Sequence, residues 1–545
     1  MSFCLDDGAE LLYGPASTDG PDTAIFRRPD EVAEAPTKAQ LHITNEGAVN
    51  GRPGFRTAVL ISFVPIIVFV AIFGYRYLQA GAASEQVDSI AVLPFENRSG
   101  NTDTDYLSDG LTDSLIFRFS QLPNLKVSPT SSVMRYKGTS TDVADIAKEL
   151  DVDAVLSGRL VQLGDNLSIS VQLVDGRTKK LIWAEQYDRK MADLLATQRE
   201  IATTLTQKMQ LRLSGDEKAI AKKYTNSNEA YQLYLKGRYH WSRRTKEDLI
   251  KAIDNYKRAI ELDSNFALAY AATAEAYNSM GKNPDAPPKD CIPLAKQAAA
   301  RALEIDPMLA QAHSALADSL ALYDWDWAES ERHFKKALEL DPNISYTYVA
   351  YGGSYLEPVG KADEAVASLE KAVALEPSAM IDNCILTTTY IYARKYDKAL
   401  AQGRSTYDLD PTFPFARHWL GFALIVNGKY DEAIALGRSV PPEVPFSWLA
   451  DVVVGQAYAK QGKKAEAEEQ ISRLRELSKT RYVRPYYLAS IYATLGDKDK
   501  AFAELDRSFA ERDCYLGRVT VDPFMDPLRD DPRFRDLMKR MNLPQ

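Results

Sequence analysis

Basic charge, paired cysteines and catalytic signatures are what this 545-residue chain has least of. Its 66 Lys and Arg stand against 75 Asp and Glu, a formal net charge of −9. No basic field is available to hold a phosphate backbone, so no nucleic-acid partner is expected. The four cysteines, Cys4, Cys291, Cys384 and Cys514, are far apart with no CxxC pair, so neither a disulfide framework nor a cysteine zinc site is suggested. The five histidines, His42, His240, His313, His333 and His418, form no HExxH or HxH pair. No GxSxG, phosphate loop or kinase Asp-Phe-Gly signature occurs. No enzyme activity, cofactor, metal or small-molecule substrate is therefore expected. The two carboxylates and two indoles of Asp324-Trp325-Asp326-Trp327 fall at a turn, where Asp caps a helix and Trp packs.

What the chain does have is a period. Similar helix stops recur at Leu262-Asp263-Ser264-Asn265, Ile305-Asp306-Pro307, Leu340-Asp341-Pro342, Leu375-Glu376-Pro377 and Leu409-Asp410-Pro411. The last three intervals are 35, 35 and 34 residues, and the first two stops are 43 apart because of an insert around Pro284-Asp285-Ala286-Pro287-Pro288. A fixed period of this size means stacked units, each too small to bury its apolar face alone. In the clearest copy, Tyr348, Tyr351, Gly352 and Tyr355 stripe one helix, and Ala365, Leu369 and Ala372 stripe a second that Pro377 closes. Small residues let the paired backbones approach. The pattern resembles the tetratricopeptide repeat (TPR). The same slots hold Leu420, Gly421, Leu424 and Ala433, then Val454, Gly455, Tyr458 and Ala467, then Leu488, Ala489, Tyr492 and Ala501. About eight units are expected over 228–512, followed by a cap over 513–545 whose aromatics cover the end of the stack.

Upstream the periodicity changes. Residues 89–94 read as a short strand, and Leu107, Leu111, Leu115 and Phe119 mark a helix. Val143, Ile146, Ala147 and Leu150 mark another. Three strands follow over 153–163, 166–175 and 181–187, turned by Gly164-Asp165 and Asp175-Gly176, and a long helix leads into the repeats. The run Ile90-Ala91-Val92-Leu93-Pro94-Phe95, with Asn97, Gly100, Asp109-Gly110-Leu111, the stretch 152–158, Trp183 and Tyr187, resembles the TolB amino-terminal-like domain of bacterial envelope proteins. That resemblance covers 89–214 and implies a non-catalytic module set between a membrane helix and TPRs. It also implies a winged-helix domain, nucleotide cyclase or Ser/Thr kinase before the membrane helix, for which the first 55 residues are too short.

Between Arg56 and Arg76 lie 19 residues without a charge, long enough as a helix for about 28 Å, one hydrocarbon core. Arg52 and Arg56 before the run, with Arg76 alone just after it, place the N-terminus in the cytoplasm. The expected fold class is multidomain: a disordered cytoplasmic tail (1–55), a single transmembrane helix (56–78), a linker (79–88), an α+β TolB-like domain (89–214) and an all-α TPR superhelix. The expected location is the inner membrane, single-pass, with residues after about 78 extracytoplasmic.

Two functional classes follow. One is a membrane-anchored scaffold of the bacterial cell envelope, with the lipid bilayer and other proteins as partners. The other is a signal-transduction or transcriptional-regulator-like sensor component whose output domain is absent or on another chain. In TPR arrays the first helices line the concave groove, and carrying those offsets onto this chain gives Tyr346, Val349, Ile381, Ile391, Phe415, His418, Phe422 and Ile425 as protein-binding groove residues.

Overall fold

Alternating apolar residues build the first layer. The structure is a computed structural model that describes residues 87–100, 104–122, 125–209, 222–441 and 443–544. Strands β1 (Ser89–Val92), β2 (Glu96–Asn97), β3 (Lys126–Val127), β4 (Ala154–Leu163), β5 (Asn166–Asp175) and β6 (Leu181–Lys190) form one sheet in the order β3-β1-β4-β5-β6, with β2 added beside β4. β1 pairs in parallel with β3 and β4, whereas β4, β5 and β6 form an antiparallel meander. On β5 the alternation is clean: Leu167, Ile169, Val171 and Leu173 are buried while Asn166 and Gln172 face water. Helices α1 (Asp105–Ser120), α2 (Thr130–Met134), α3 (Val143–Leu150) and α4 (Leu194–Lys208) complete this unit. Asp142 caps α3 by accepting from Ala144 N at 2.8 Å.

Eight helix pairs follow among the described residues. They are α5/α6 (Asn228–Arg243, Lys246–Leu262), α7/α8 (Ala267–Lys282, Pro288–Ile305), α9/α10 (Ala310–Ser319, Trp327–Leu340) and α11/α12 (Ser345–Ala350, Ala362–Leu375). Then come α13/α14 (Met380–Tyr392, Tyr396–Leu409), α15/α16 (Pro414–Val426, Tyr430–Arg438), α17/α18 (Leu449–Lys460, Lys464–Leu477) and α19/α20 (Pro485–Leu495, Lys498–Ala510). A last helix, α21 (Pro532–Arg540), lies beyond them. Close approach within a pair requires a missing side chain: a Cβ on Gly352 would fall 2.0 Å from Leu369 Cδ2. Asp326 caps α10 through Glu329 N at 3.2 Å, while Trp325 and Trp327 are buried, as the turn chemistry predicts.

The sheet unit and the array are not beads on a string. Phe119, Ile201, Leu205 and Met209 of the first share one apolar core with Tyr231, Leu235, Phe266, Leu268 and Leu309 of the second. α1 lies so close on α5 that a Cβ at Gly110 would sit 3.0 Å from Leu235 Cβ. All described residues belong to one unit, 84–545.

One expectation is corrected. Among the described residues no helix is long and apolar enough to cross a membrane. The span expected at 56–78 and the tail before it lie outside the described residues. The described architecture is a helical repeat array with a small sheet domain. The single transmembrane helix, the inner-membrane location and the bilayer as partner are not carried forward.

Candidate partner-binding surface of the repeat array

Each repeat has two edges, one made of the turns between repeats and one of the turns within repeats. Both edges are occupied by other parts of the chain. Along the first run the helix-stop aspartates that gave the sequence its period. Thr225 donates to Asp263, the Lys222 ammonium sits 2.6 Å from Asp306, and the Gln121 amide donates to Asp341. The sheet domain and its linker therefore dock on three consecutive turn carboxylates.

Along the second edge runs the C-terminal segment. Arg512 Nη1 donates to the Tyr323 carbonyl at 3.0 Å and its guanidinium lies 4.1 Å from the Trp325 ring centroid. Arg518 pairs with buried Glu357 at 3.0 Å, Thr520 donates to the Pro358 carbonyl, and Arg394 pairs with Asp526 at 2.8 Å. Tyr323 lies where α9 widens into a π-helical turn, Leu320–Asp324, and Glu357 directly follows a second such turn, Tyr351–Leu356, at the end of α11. Further round, Arg484 is fully buried with Asp513 at 2.8 Å and donates to the carbonyls of Gly281 and Asn283 at 3.1 and 3.0 Å. Arg481 pairs with Asp285 at 2.6 Å. The last repeat thus closes back onto the second.

The inner face is narrow and polar at its N-terminal end. Trp241 of the first repeat and Tyr346 of the fourth meet with ring centroids 6.2 Å apart. Arg238 bridges Asp113 of α1 at 3.2 Å and Glu275 at 3.4 Å. Lys282 and the Tyr346 hydroxyl both reach Asp318 Oδ2 at 2.7 Å. Burial pushes the Glu275 carboxyl up to about 6, opposed by Arg238 and Arg244. Glu376 rises to about 7 through burial and the neighbouring Asp382.

The residues expected to line an open groove are placed differently. Val349, Ile391, His418, Phe422 and Ile425 are buried, and Tyr346, Ile381 and Phe415 are half-buried. Phe422 packs on Phe524 of the C-terminal segment, ring centroids 5.3 Å apart, and its neighbour Trp419 packs on Tyr515. Phe415 packs on Phe446. The aromatic stripe thus already has an occupant from its own chain. Among the described residues no group of three or more His, Cys, Asp or Glu is placed to hold a metal, and Cys291, Cys384 and Cys514 are buried and free.

One contact missed by the sequence pattern joins α9 to α10. His313 Nε2 donates to the Pro307 carbonyl at 3.0 Å, which leaves its Nδ1 to accept from His333 Nδ1 at 2.7 Å, and Arg332 donates to His333 Nε2 at 2.8 Å. That chain requires both rings neutral. Burial, with the adjacent Arg332 and His313, lowers His333 to about 4. A histidine depressed in the folded state binds fewer protons than in the unfolded chain between about pH 4 and 6.5. Its contribution is therefore complete above pH 6.5 and lost as pH falls toward 4. After allowance for solvent screening, we expect the loss to be about 1–2 kcal/mol. Denaturant titrations of wild type and His333→Gln at pH 7.5 and 4.5 check this: the variant should lose less on acidification, and equal losses would refute the neutral pair.

Comparisons with known proteins bear on the sheet unit most directly. Residues 85–204 match the family described as HilA/YgeH-like transcriptional regulator, second domain. This match does not support the TolB resemblance, since it assigns the same residues to a different family. The chain is 32% identical over 185 residues to a putative adenylate cyclase 3 of Rhizobium meliloti, covering 34% of this chain and 32% of that protein. It is 24% identical over 316 residues to the transcriptional regulator HilA of Salmonella typhimurium, covering 56% of this chain and 55% of that one. It thus spans between a third and about half of the curated relatives it matches. A solved thermophilic TPR protein of Thermus thermophilus is similar over 36% of this chain and 98% of its own, at 18% identity and a TM-score of 0.31.

Proposed function

We propose that this chain is a regulatory interaction module: a regulator-family α+β domain fused rigidly to a repeat array that gathers partner proteins. The observation that carries the reading is the shared core, in which α1 and α4 of the sheet unit and α5, α7 and α9 of the array bury one apolar surface. Two domains joined by a core respond to a partner together. Similarity to a transcriptional regulator and to a putative adenylate cyclase supports the reading, because those proteins differ in named output and what they have in common with this chain need not be an output. The inner face is taken up by the chain itself, so partners engage the outer surfaces.

Crosslinking of the full chain in its own cells, followed by mass spectrometry, tests this. A small recurrent set of crosslinked proteins is expected, and recovery of the chain without recurrent partners would contradict it. The match at 85–204 favours a second reading, a signalling or transcription-regulatory component whose output domain is absent or on another chain. Under that reading, loss of the chain alters a limited set of transcripts. An unchanged transcript profile would leave the scaffold reading alone.

A further inference from the structure

Charge on the inner face is out of balance. Five carboxylates, Asp113, Glu275, Asp318, Glu376 and Asp382, meet three cations there, Arg238, Arg244 and Lys282. Arg238 is taken by Asp113 and Glu275, and Lys282 by Asp318. Glu376, at the end of α12, and Asp382, in the first turn of α13, form no ion pair among the described residues, and Arg244 is the one cation that acts on both. Asp382 is 8% exposed and accepts from the Ser345 hydroxyl at 2.7 Å. Glu376 is only half-buried, so a proton on this pair can exchange with solvent.

Arg244 follows α5 at the tip of the first repeat, and its contacts are weak ones for a guanidinium. It lies 3.5 Å from the centroid of the Trp241 ring, and its Nη1 donates to Ser279 Oγ at 2.7 Å. The carboxylates whose charge acts on it are Asp382, Glu275 and Glu376; Tyr346, which also faces it, is kept neutral by burial. A guanidinium stacked on an indole is held less tightly than one bonded to carboxylates. Two carboxylates that face a single cation share a proton before both ionise. Burial and then the Asp382 charge raise Glu376 to about 7, with Asp113 adding to the rise and Arg244 and Arg238 opposing it. Burial also raises Asp382, against the Ser345 hydroxyl and Arg244. Cys384, on the same helix as Asp382, is held as a neutral thiol by burial.

We infer that Arg244 is a proton-operated arm: while Glu376 and Asp382 share a proton it lies on Trp241, and when that proton is released to solvent it moves to the two carboxylates. The structure shows the first position, in which the first repeat is tied to the second through Ser279. In the other position the first repeat is tied across the inner face to Glu376 of the fourth repeat and Asp382 of the fifth. Loss of the proton therefore changes which repeats are coupled. The sign follows from the raised carboxyls: the shared proton is present at low pH and lost as pH rises through about 7. The inference goes beyond the proposed function and does not depend on it, since it needs no partner.

Fluorine NMR of the full chain labelled with 5-fluorotryptophan, recorded from pH 5.5 to 8.5, tests this, with Trp241→Phe assigning the Trp241 signal. The Trp241 resonance should shift in one step with its midpoint near 7. Glu376→Gln and Asp382→Asn each leave a single carboxylate, so either should hold the resonance at its low-pH position throughout. Arg244→Gln should remove the pH dependence by removing the arm. Melting temperatures add an independent readout: Glu376→Gln should melt higher than wild type at pH 8.5 and together with it at pH 5.5. His240, next to Trp241 in sequence, sits 2.8 Å from Asp248 and is the rival source of a titration. A Trp241 shift that survives Glu376→Gln would belong to it and would overturn the inference. So would a Trp241 signal that is flat in wild type, or one that still titrates in Arg244→Gln.

Discussion

Arg484→Leu is expected to destabilise the protein by about 3–5 kcal/mol, the effect of removing one partner of a fully buried ion pair. Arg484 and Asp513 are both 0% exposed at 2.8 Å, so the substitution strands a carboxylate in the interior. It also removes the donor to Cys514 Sγ and those to the Gly281 and Asn283 carbonyls, the latter two being the contacts that tie the eighth repeat to the second. Leucine lacks the length and the fork to replace them. The Arg481–Asp285 pair beside it is part-exposed, and its loss should weigh far less, within about 1 kcal/mol. Urea titrations of Arg484→Leu and Arg481→Leu separate the two. Comparable small losses for both would mean that the array is not closed through this contact.

The second large effect concerns the sheet unit. A fragment beginning at residue 222 keeps all eight helix pairs but uncovers Tyr231 and Leu235, which the intact chain buries against Ser114, Gln198 and Gly110 of the sheet unit. It also loses Asp113 as partner of Arg238. Contiguous apolar surface of this kind drives association, so the fragment should aggregate or elute as large oligomers where the intact chain does not. The sheet unit alone should fare no better, because the same core is cut from the other side. A soluble, monomeric and cooperatively unfolding repeat fragment would show that the shared core is dispensable.

How much of this was legible in the sequence depends on range. The helix pairs show in a 35-residue rhythm because each stop is local chemistry, a Leu-Asp-Pro that ends a helix wherever it occurs. β5 shows because its alternation is unbroken. β2 and β3, two residues each, carry no period and went unread. The closures were hidden for a different reason: Arg484, Arg512 and Arg518 are single side chains meeting partners 161 to 203 residues away, and no local pattern encodes that. Yet one irregularity was a signal. The insert that lengthens the first interval to 43 carries Asp285, and Asn283 lies beside it; these are the residues on which Arg481 and Arg484 close the array. The groove expectation assumed an inner face open to solvent, whereas Phe524 and Tyr515 lie on it, so positions such as Phe422 and Ile391 are core. The His313–His333 contact joins two helices of one repeat and shows no motif spacing.

Hydrogen exchange under mildly denaturing conditions tests the central claim, that the sheet domain and the array are one body. Amides of β4 and β5 and those of α5, α7 and α9 should lose protection in the same opening event, with equal free energies and equal denaturant dependence. Protection that persists in the sheet after α5 and α7 have opened, or the reverse, would contradict the account.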